Sequence, residues 1–198
     1  QPSEAFTELR QTELAPSVFF RDLAPLVFEK LRTQIFRVSN QQYIGSIWGD
    51  SPTHHQGSSA NVVDQMVLSF SEGKGGGFFF WSLDRRFMVK TLEPFEYAGL
   101  RAILPRYYRH LWDRRRSLLS RYYGAYSITI HGHTKHFVVM ESVFVHAPGG
   151  KVHEIYDLKG SWIDRHSDLP DASSGTYKDL DLKKPFQLQQ AQAEALLE

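Results

Sequence analysis

The chain has 198 residues, of which 41% are hydrophobic, 14% aromatic and 23% charged, and its formal net charge is +1. This composition excludes wholesale disorder, collagen and coiled coil, and no apolar run approaches the roughly 20 residues of a membrane span. Cysteine is absent, which excludes a disulfide framework and a cysteine-ligated metal site, and a cytoplasmic protein is the simplest interpretation.

The N-terminal part of the chain contains one helical pattern. Residues 1–16 are polar and weakly patterned, and we expect a weakly structured lead-in before a domain at 17–198. Asp22 is a candidate cap for the helix, because a short acidic side chain can accept from the first backbone N–H groups. The apolar residues of this helix recur with a period near 3.6. They are Leu23, Val27, Leu31 and Ile35.

The middle of the chain predicts strands joined by tight turns. Residues 62–71 and 78–82 are rich in β-prone side chains, and the turn between them is dense in glycine. A third strand follows at 86–90. Pro94 then begins a helix, because proline is tolerated in a first turn. One face of this helix is apolar, with Leu100, Ile103, Leu104, Tyr107, Tyr108 and Leu111.

Strand patterns return in the C-terminal part. Residues 126–130 and 136–145 flank a turn that contains Gly132, and residues 152–158 predict a further strand. Residues 187–198 are rich in helix formers. The order of elements therefore predicts an α+β fold, with a mostly antiparallel sheet and flanking helices.

The glycine-rich turn and the lysine on the third strand indicate a phosphate-binding site. Glycines let backbone N–H groups approach phosphates closely, and Lys90 would add a cation on a rigid strand. Protein kinases use this order of elements, with a glutamate of the next helix paired to the lysine, and Glu93 and Glu96 are the candidates here. The alternative is a flexible hairpin tip beside an exposed strand lysine. The glycines are Gly73, Gly75, Gly76 and Gly77.

Two further clusters suit anions. The segment Asp157–Ser161, with Arg165 beyond it, places an acid, a base, a glycine and a hydroxyl at a strand end, which suits phosphate or sugar hydroxyls, or else an ordinary turn. Between residues 101 and 121 there are seven arginines and one acid, Asp113. This segment suits an anionic membrane or nucleic acid, or else is a solvated helix face.

Three histidines lie around the predicted Gly132 turn, at His131, His133 and His136. A zinc site needs convergent ligands and a fourth partner. No fourth partner is evident near them, so we expect no metal site from these residues.

Motifs in one colinear order, from about residue 18 to residue 182, resemble the phosphatidylinositol phosphate kinase family. The most recognisable is Tyr156–Asp157–Leu158–Lys159–Gly160–Ser161. The others include Phe20–x–Asp22–x–Ala24–Pro25, Asp84–Arg85–Arg86–Phe87–x–Val89–Lys90, Leu104–Pro105–x–Tyr107–Tyr108, Arg121–Tyr122–Tyr123–Gly124 and Lys178–Asp179–x–Asp181.

The resemblance implies an ATP- and Mg²⁺-dependent lipid kinase with a fold distantly related to protein kinases. By this resemblance Lys90 contacts the ATP phosphates, Glu96 is its ion-pair partner, and the glycine-rich turn covers the phosphates. The segment that lines the adenine pocket would run from Met140 to Phe144, with backbone groups near Val143 and the Phe144 ring as contacts. Lys159 and Arg165 are candidate phosphate-facing residues.

The resemblance also implies a reaction and a setting. We expect the 5-hydroxyl of phosphatidylinositol 4-phosphate to be phosphorylated; the alternatives are a 5-phosphate 4-kinase and a non-catalytic module that binds nucleotide or anionic lipid. The partner would be an anionic membrane, at the inner face of the plasma membrane, rather than nucleic acid, and a homodimer is a further expectation.

The family's catalytic aspartate segment lies beyond the Lys178–Asp181 motif. We therefore expect this chain to be an inactive N-terminal part of the catalytic domain, without a catalytic residue of its own. Its N-lobe would span about 17–145, and the start of the second lobe about 146–198.

Overall fold

The computed structural model describes most of the chain and divides it into two units. The described residues are 4–48, 71–72, 78–82, 84–146, 152–167, 175–183, 189–190 and 194. Contacts separate Gln1–Val145 from His146–Glu198. The predicted α+β class is confirmed, while the assignment of these units to kinase lobes stays a prediction.

The first unit is built on a seven-stranded sheet in which every neighbouring pair is antiparallel. The strand order is β1-β2-β6-β7-β5-β4-β3. The strands are β1 (Leu9–Ala15), β2 (Val18–Leu23), β3 (Ser71–Glu72), β4 (Phe78–Trp81), β5 (Phe87–Leu92), β6 (Tyr122–Ile130) and β7 (His133–Glu141).

Helices cover both faces of this sheet. The first helical segment is α1 (Pro25–Lys30), which continues as a π-helical turn at Leu31–Ile35, and α2 (Asn40–Trp48) follows it. The longest of the described helices is α3 (Pro94–Asp113). Because side chains alternate across a strand, β5 directs Phe87 and Val89 into a buried core, and its even-numbered residues point to the opposite face.

The core beneath α1 and α2 is rich in aromatic rings. Tyr123 and Phe87 are fully buried, and their ring centroids lie 4.7 Å apart in an edge-on arrangement. Tyr43 of α2 packs edge-on against Phe87 at 5.4 Å. On the opposite face, α3 buries Leu100 and Leu104. The sheet therefore has a continuous core on one side and carries α3 on the other.

Two expectations for the N-terminal part are wrong. Residues 9–15, expected to be weakly structured, form β1, and every residue of that strand is exposed. Asp22 lies within β2, opposite Arg10 and Tyr126, so it does not cap a helix. The cap position of α1 is Ala24, with φ of 45° and no side-chain hydrogen bond. Asp22 is used for strand pairing because the chain is still extended there.

The predicted strands and helix of the middle are confirmed where the structure describes them. Residues 78–82 contain β4, residues 86–90 lie mostly within β5, and Pro94 begins α3. The strand predicted at 136–145 corresponds to β7. It ends at Glu141 rather than at residue 145, because Val143–His146 forms a 3₁₀ turn. The strand predicted at 62–70, the glycines at 73–77 and most of the helix predicted at 187–198 lie outside the described residues.

The second unit contains a short parallel pair of strands. These are β8 (Ile155–Asp157) and β9 (Thr176–Lys178), and β9 leads directly into a 3₁₀ turn at Asp179–Asp181. Parallel pairing brings the two polar motifs of this unit, one after each strand, to the same end of the pair.

Candidate functional site

Lys90 and Glu96 form an ion pair on the face of the sheet that carries α3. Lys90 lies on β5 opposite Val138, and its Nζ is 2.9 Å from Oε1 of Glu96. The backbone N–H of Glu93 donates to the other carboxylate oxygen at 2.8 Å, as part of a capping box at the start of α3. These hydrogen bonds, first that from Glu93 and then that from Lys90, hold the pKa of Glu96 below its ordinary value. The carboxylate is therefore ionised and fixed in place.

A cleft of about 410 Å³ lies beside this ion pair. Lys90 and Glu96 both contribute to its walls, and the remaining walls are largely apolar. They are Leu92, Gly99, Leu100, Ile103, Tyr122, Val138 and Met140. Ligand pockets typically occupy about 300–1,000 Å³ and combine apolar walls with a few placed polar groups. Apolar walls beside one lysine fit a ligand that has a flat ring system and an anionic group, a combination that ATP has.

The structure brings together only some of the residues predicted to contact nucleotide. Within the described residues the cleft walls include Met140 but neither Val143 nor Phe144. Val143 is 70% exposed, and the Phe144 ring packs against Trp81 with centroids 6.2 Å apart. Their adenine contacts, and the role of the glycines, which lie outside the described residues, stay predictions.

A bulge at the start of β6 brings Tyr122 to the cleft. The register with β7 shifts between Tyr122 and Gly124, so Tyr122 pairs with Met140 while Tyr123 is buried in the opposite core. The sequence analysis did not identify Tyr122 as a cleft residue. A run of consecutive aromatic residues gives no sign of which ring faces which side, because a bulge breaks the alternation.

Tyr107 holds the segment that leads into β6. Its hydroxyl donates to the backbone carbonyl of Ser120 at 2.8 Å and accepts from the backbone N–H of Tyr122, also at 2.8 Å. Tyr107 is buried, and burial raises the pKa of its hydroxyl, which therefore stays protonated. The connection fixes Tyr122 relative to α3, the helix that contributes Glu96.

The seven arginines between residues 101 and 121 have different environments. The guanidinium of Arg115 lies over the Trp112 ring, 4.6 Å from its centroid. Arg121 pairs with Glu141 of β7 at 3.4 Å. Three others line a separate pocket of about 320 Å³ near the C-terminal end of α3. They are Arg106, Arg109 and Arg114.

In the second unit, Arg165 is held between two carboxylates. Its Nε lies 2.7 Å from Oδ2 of Asp179, and its Nη2 lies 3.4 Å from Oδ2 of Asp157 and also donates to the Asp157 carbonyl. Only 11% of the Arg165 side chain is exposed. Lys159 pairs with Asp157 at 2.5 Å and is more than half exposed. In this structure Arg165 and Lys159 contact aspartates of their own unit. Their phosphate-facing roles stay predictions.

The aspartates of the second motif fasten the backbone of this unit. Asp179 Oδ1 accepts from the backbone N–H groups of Lys159 and Gly160, at 2.9 and 2.7 Å. The hydrogen bond from Arg165 is the largest cause that lowers the pKa of Asp179, to about 2. Asp181 accepts from the backbone N–H groups of Ser167 and Lys178, both at 2.9 Å. Both carboxylates therefore hold the backbone of this unit in place.

Among the described residues, no helix combines the length and apolar character needed to span a membrane. Groups of three or more histidine, aspartate or glutamate side chains arranged to bind a metal are likewise absent from the described part of the chain.

Comparison with known proteins gives a consistent result. A family model described as phosphatidylinositol-4-phosphate 5-kinase matches residues 62–198. The chain is 35% identical over 179 residues to phosphatidylinositol 4-phosphate 5-kinase 7 of Arabidopsis thaliana, covering 89% of this chain and 22% of that protein. It is 34% identical over 166 residues to phosphatidylinositol 4-phosphate 5-kinase its3 of Schizosaccharomyces pombe, covering 81% and 20%. The chain thus spans about a fifth of the length of these relatives.

Proposed function

Because this chain belongs to the phosphatidylinositol-4-phosphate 5-kinase family, we propose that the protein phosphorylates the 5-hydroxyl of phosphatidylinositol 4-phosphate at the expense of ATP. The relatives named as 4-phosphate 5-kinases support the choice of the 5-position. The proposal rests most on one observation, the Lys90–Glu96 pair at the wall of a cleft of about 410 Å³.

In this proposal Lys90 binds the ATP phosphates, and Glu96 sets the position of its ammonium. A lysine tethered to a helical glutamate loses little freedom when it meets an anion, so its charge acts from a fixed point. When bound, ATP supplies the phosphoryl group, and Mg²⁺ neutralises part of its charge. The apolar walls near Met140 would exclude water from the adenine ring.

The lipid would be met at an anionic membrane surface. Such a surface attracts basic segments by about 1 kcal/mol for each nearby Lys or Arg. Three consecutive arginines, Arg114–Arg116, directly follow α3, and all three are exposed. They support this partner. A peripheral position at the cytoplasmic leaflet follows from the same charge.

The test measures transfer of labelled phosphate from ATP to phosphatidylinositol 4-phosphate in vesicles, using the full-length protein that contains this chain. Lys90→Ala should lower kcat/KM for ATP by about 100-fold, the scale of losing one placed electrostatic contact to the reacting group. Glu96→Gln keeps the capping geometry but removes the charge, and it should raise KM for ATP less than Lys90→Ala does. Lys135→Ala, an exposed lysine of β7 in the same sheet, is the matched control and should leave both constants unchanged.

Different outcomes separate the parts of the proposal. Unchanged turnover in Lys90→Ala would remove that residue from the site. ATP binding that depends on Lys90, with no product at the inositol ring, would favour a nucleotide-binding module over the kinase. Vesicles with phosphatidylinositol 5-phosphate in place of the 4-phosphate test the position. If product forms from the 5-phosphate alone, the protein is a 4-kinase.

A further inference from the structure

Ser117 follows three consecutive arginines, Arg114, Arg115 and Arg116, in the segment after α3. Protein kinases choose their substrates partly by such charge patterns, because basic residues before the acceptor complement an acidic substrate groove. All three arginines are exposed, and Ser117 is partly exposed. The hydroxyl is therefore presented with a recognition sequence on a part of the chain that a second enzyme can reach.

The adjacent pocket has the charge that a phosphate needs. It is lined by Pro105, Arg106, Arg109, His110, Asp113 and Arg114, and three arginines against one aspartate leave it a formal charge of +2. A phosphoserine carries about −1.5 to −2 at pH 7. Arg106 and Arg109 make no ion pair with any carboxylate in the part of the chain that the structure describes. Arg109 and His110 follow Arg106 by three and four residues, so both side chains neighbour that of Arg106 on the helix surface.

One contact joins the acceptor to the pocket. Oγ of Ser117 lies 2.8 Å from Nε2 of His110, and it also accepts from the backbone N–H of Leu119 at 3.2 Å. The hydroxyl thus already touches a residue of the pocket wall. A phosphate on this oxygen would lie beside the His110 ring, and the arginines would supply charge-assisted hydrogen bonds.

We propose that Ser117 is a phosphorylation site and that the pocket at Arg106, Arg109 and Arg114 receives the phosphate. A protein kinase transfers the γ-phosphoryl group of a nucleoside triphosphate: the Ser117 Oγ–P bond forms, the bond from phosphorus to the β,γ-bridging oxygen breaks, the nucleoside diphosphate leaves, and the hydroxyl proton passes to the base of that kinase. The modified segment is then tied to α3 through the pocket.

The site is tested with the full-length protein, labelled ATP and a protein kinase catalytic domain that selects arginines before serine. Mass spectrometry of the tryptic peptides should place the phosphate on Ser117, and Ser117→Ala should lose it. Ser120→Ala is the matched control, since Ser120 is exposed in the same segment but follows two leucines, and it should keep full incorporation. Arg116→Gln should lower the rate about tenfold, the scale of one charged hydrogen bond. Equal labelling of Ser120, or none at Ser117, would overturn the site.

The pocket is tested separately by ³¹P NMR of the phosphorylated protein. The second pKa of an unpaired phosphoserine is about 6, and pairing with arginines should lower it by half a unit or more. Arg106→Gln combined with Arg109→Gln leaves the recognition arginines intact and should return this pKa towards 6. If the double variant and the wild type titrate alike, the phosphate does not enter the pocket. Far-UV circular dichroism before modification verifies that each variant is folded.

Discussion

Replacing Tyr107 with phenylalanine tests the connection between α3 and the edge of the cleft. The change removes one hydroxyl that serves two backbone groups, the carbonyl of Ser120 and the N–H of Tyr122, each at 2.8 Å. The ring itself stays, so packing against Tyr122, with ring centroids 5.3 Å apart, is retained. The Ser120 carbonyl and the Tyr122 N–H then both lose the hydrogen bond that the buried Tyr107 hydroxyl made to them.

The expected cost follows from these two hydrogen bonds. Leaving a buried donor or acceptor unpaired costs about 1–3 kcal/mol. Ser120 is exposed, and water can replace part of its hydrogen bond, so the expected loss in the free energy of unfolding is about 1.5–3 kcal/mol. For a chain of this length this corresponds to a fall in Tm of about 3–12 °C. Urea unfolding followed by circular dichroism measures the difference, and an unchanged m value would show that the unfolded state is unaffected.

Tyr108→Phe is the matched control for this change. Tyr108 is the next residue of α3, and its hydroxyl makes no hydrogen bond within the described ranges, while its ring stacks on Trp112 at 5.9 Å. Loss of the Tyr108 hydroxyl should lower the free energy of unfolding by less than about 0.5 kcal/mol. Equal stability of the two variants would refute the argument that the Tyr107 hydroxyl holds this segment.

Three further predictions concern the first unit. Burial raises the pKa of Asp22 to about 6, above its unfolded value, so the folded state binds a proton that the unfolded state releases and stability should fall as pH rises from about 4 to 7. Asp22→Asn should flatten that slope and add about 1–2 kcal/mol at pH 7, after allowance for partial exposure; a slope that survives in urea titrations at several pH values contradicts this. Gly124→Ala should cost about 1–3 kcal/mol, because the new Cβ overlaps the Tyr126 ring, and a Tm equal to wild type would show that the ring can move. Gly99→Ala, where no atom lies within 4 Å of the new Cβ, should instead stabilise α3 by up to about 1 kcal/mol, so a fall in its Tm would be the unexpected result.

The sequence predicted elements well where one face of them is buried. Strand β5 alternates between Phe87 and Val89 in the core and Met88 and Lys90 on the opposite face, so both its type and its orientation could be inferred. Strand β1 has no buried residue, and among the described strands it pairs with β2 alone. An edge strand of this kind is formed by pairing with the backbone of β2, and its side chains carry no period from which pairing could be predicted.

The site residues likewise fall into pairs set by neighbouring sequence, such as Lys90 with Glu96, and pairs set by the fold, such as Arg165 with Asp179. Lys90 and Glu96 are six positions apart across a strand-to-helix junction, so the local sequence limited the partner to Glu93 or Glu96, and the resemblance selected Glu96. The capping box uses Glu93 as the cap and leaves Glu96 beside Lys90. The pairing of Arg165 with Asp179 depends on two strands that are parallel and separated by a long connection.

Nothing local to the second motif indicates that its aspartates bind backbone N–H groups of the first. Asp179 accepts from Lys159 and Gly160, twenty and nineteen residues earlier in the chain. The resemblance therefore identified both motifs but not what their carboxylates contact. The structure shows that the Asp179 carboxylate holds the turn at Lys159 and Gly160. Asp179→Ala should therefore unfold this turn and expose its amides to hydrogen exchange, whereas Lys159→Ala, which removes an exposed ion pair, should leave their protection unchanged. Equal protection in both variants would show that the carboxylate does not hold the turn.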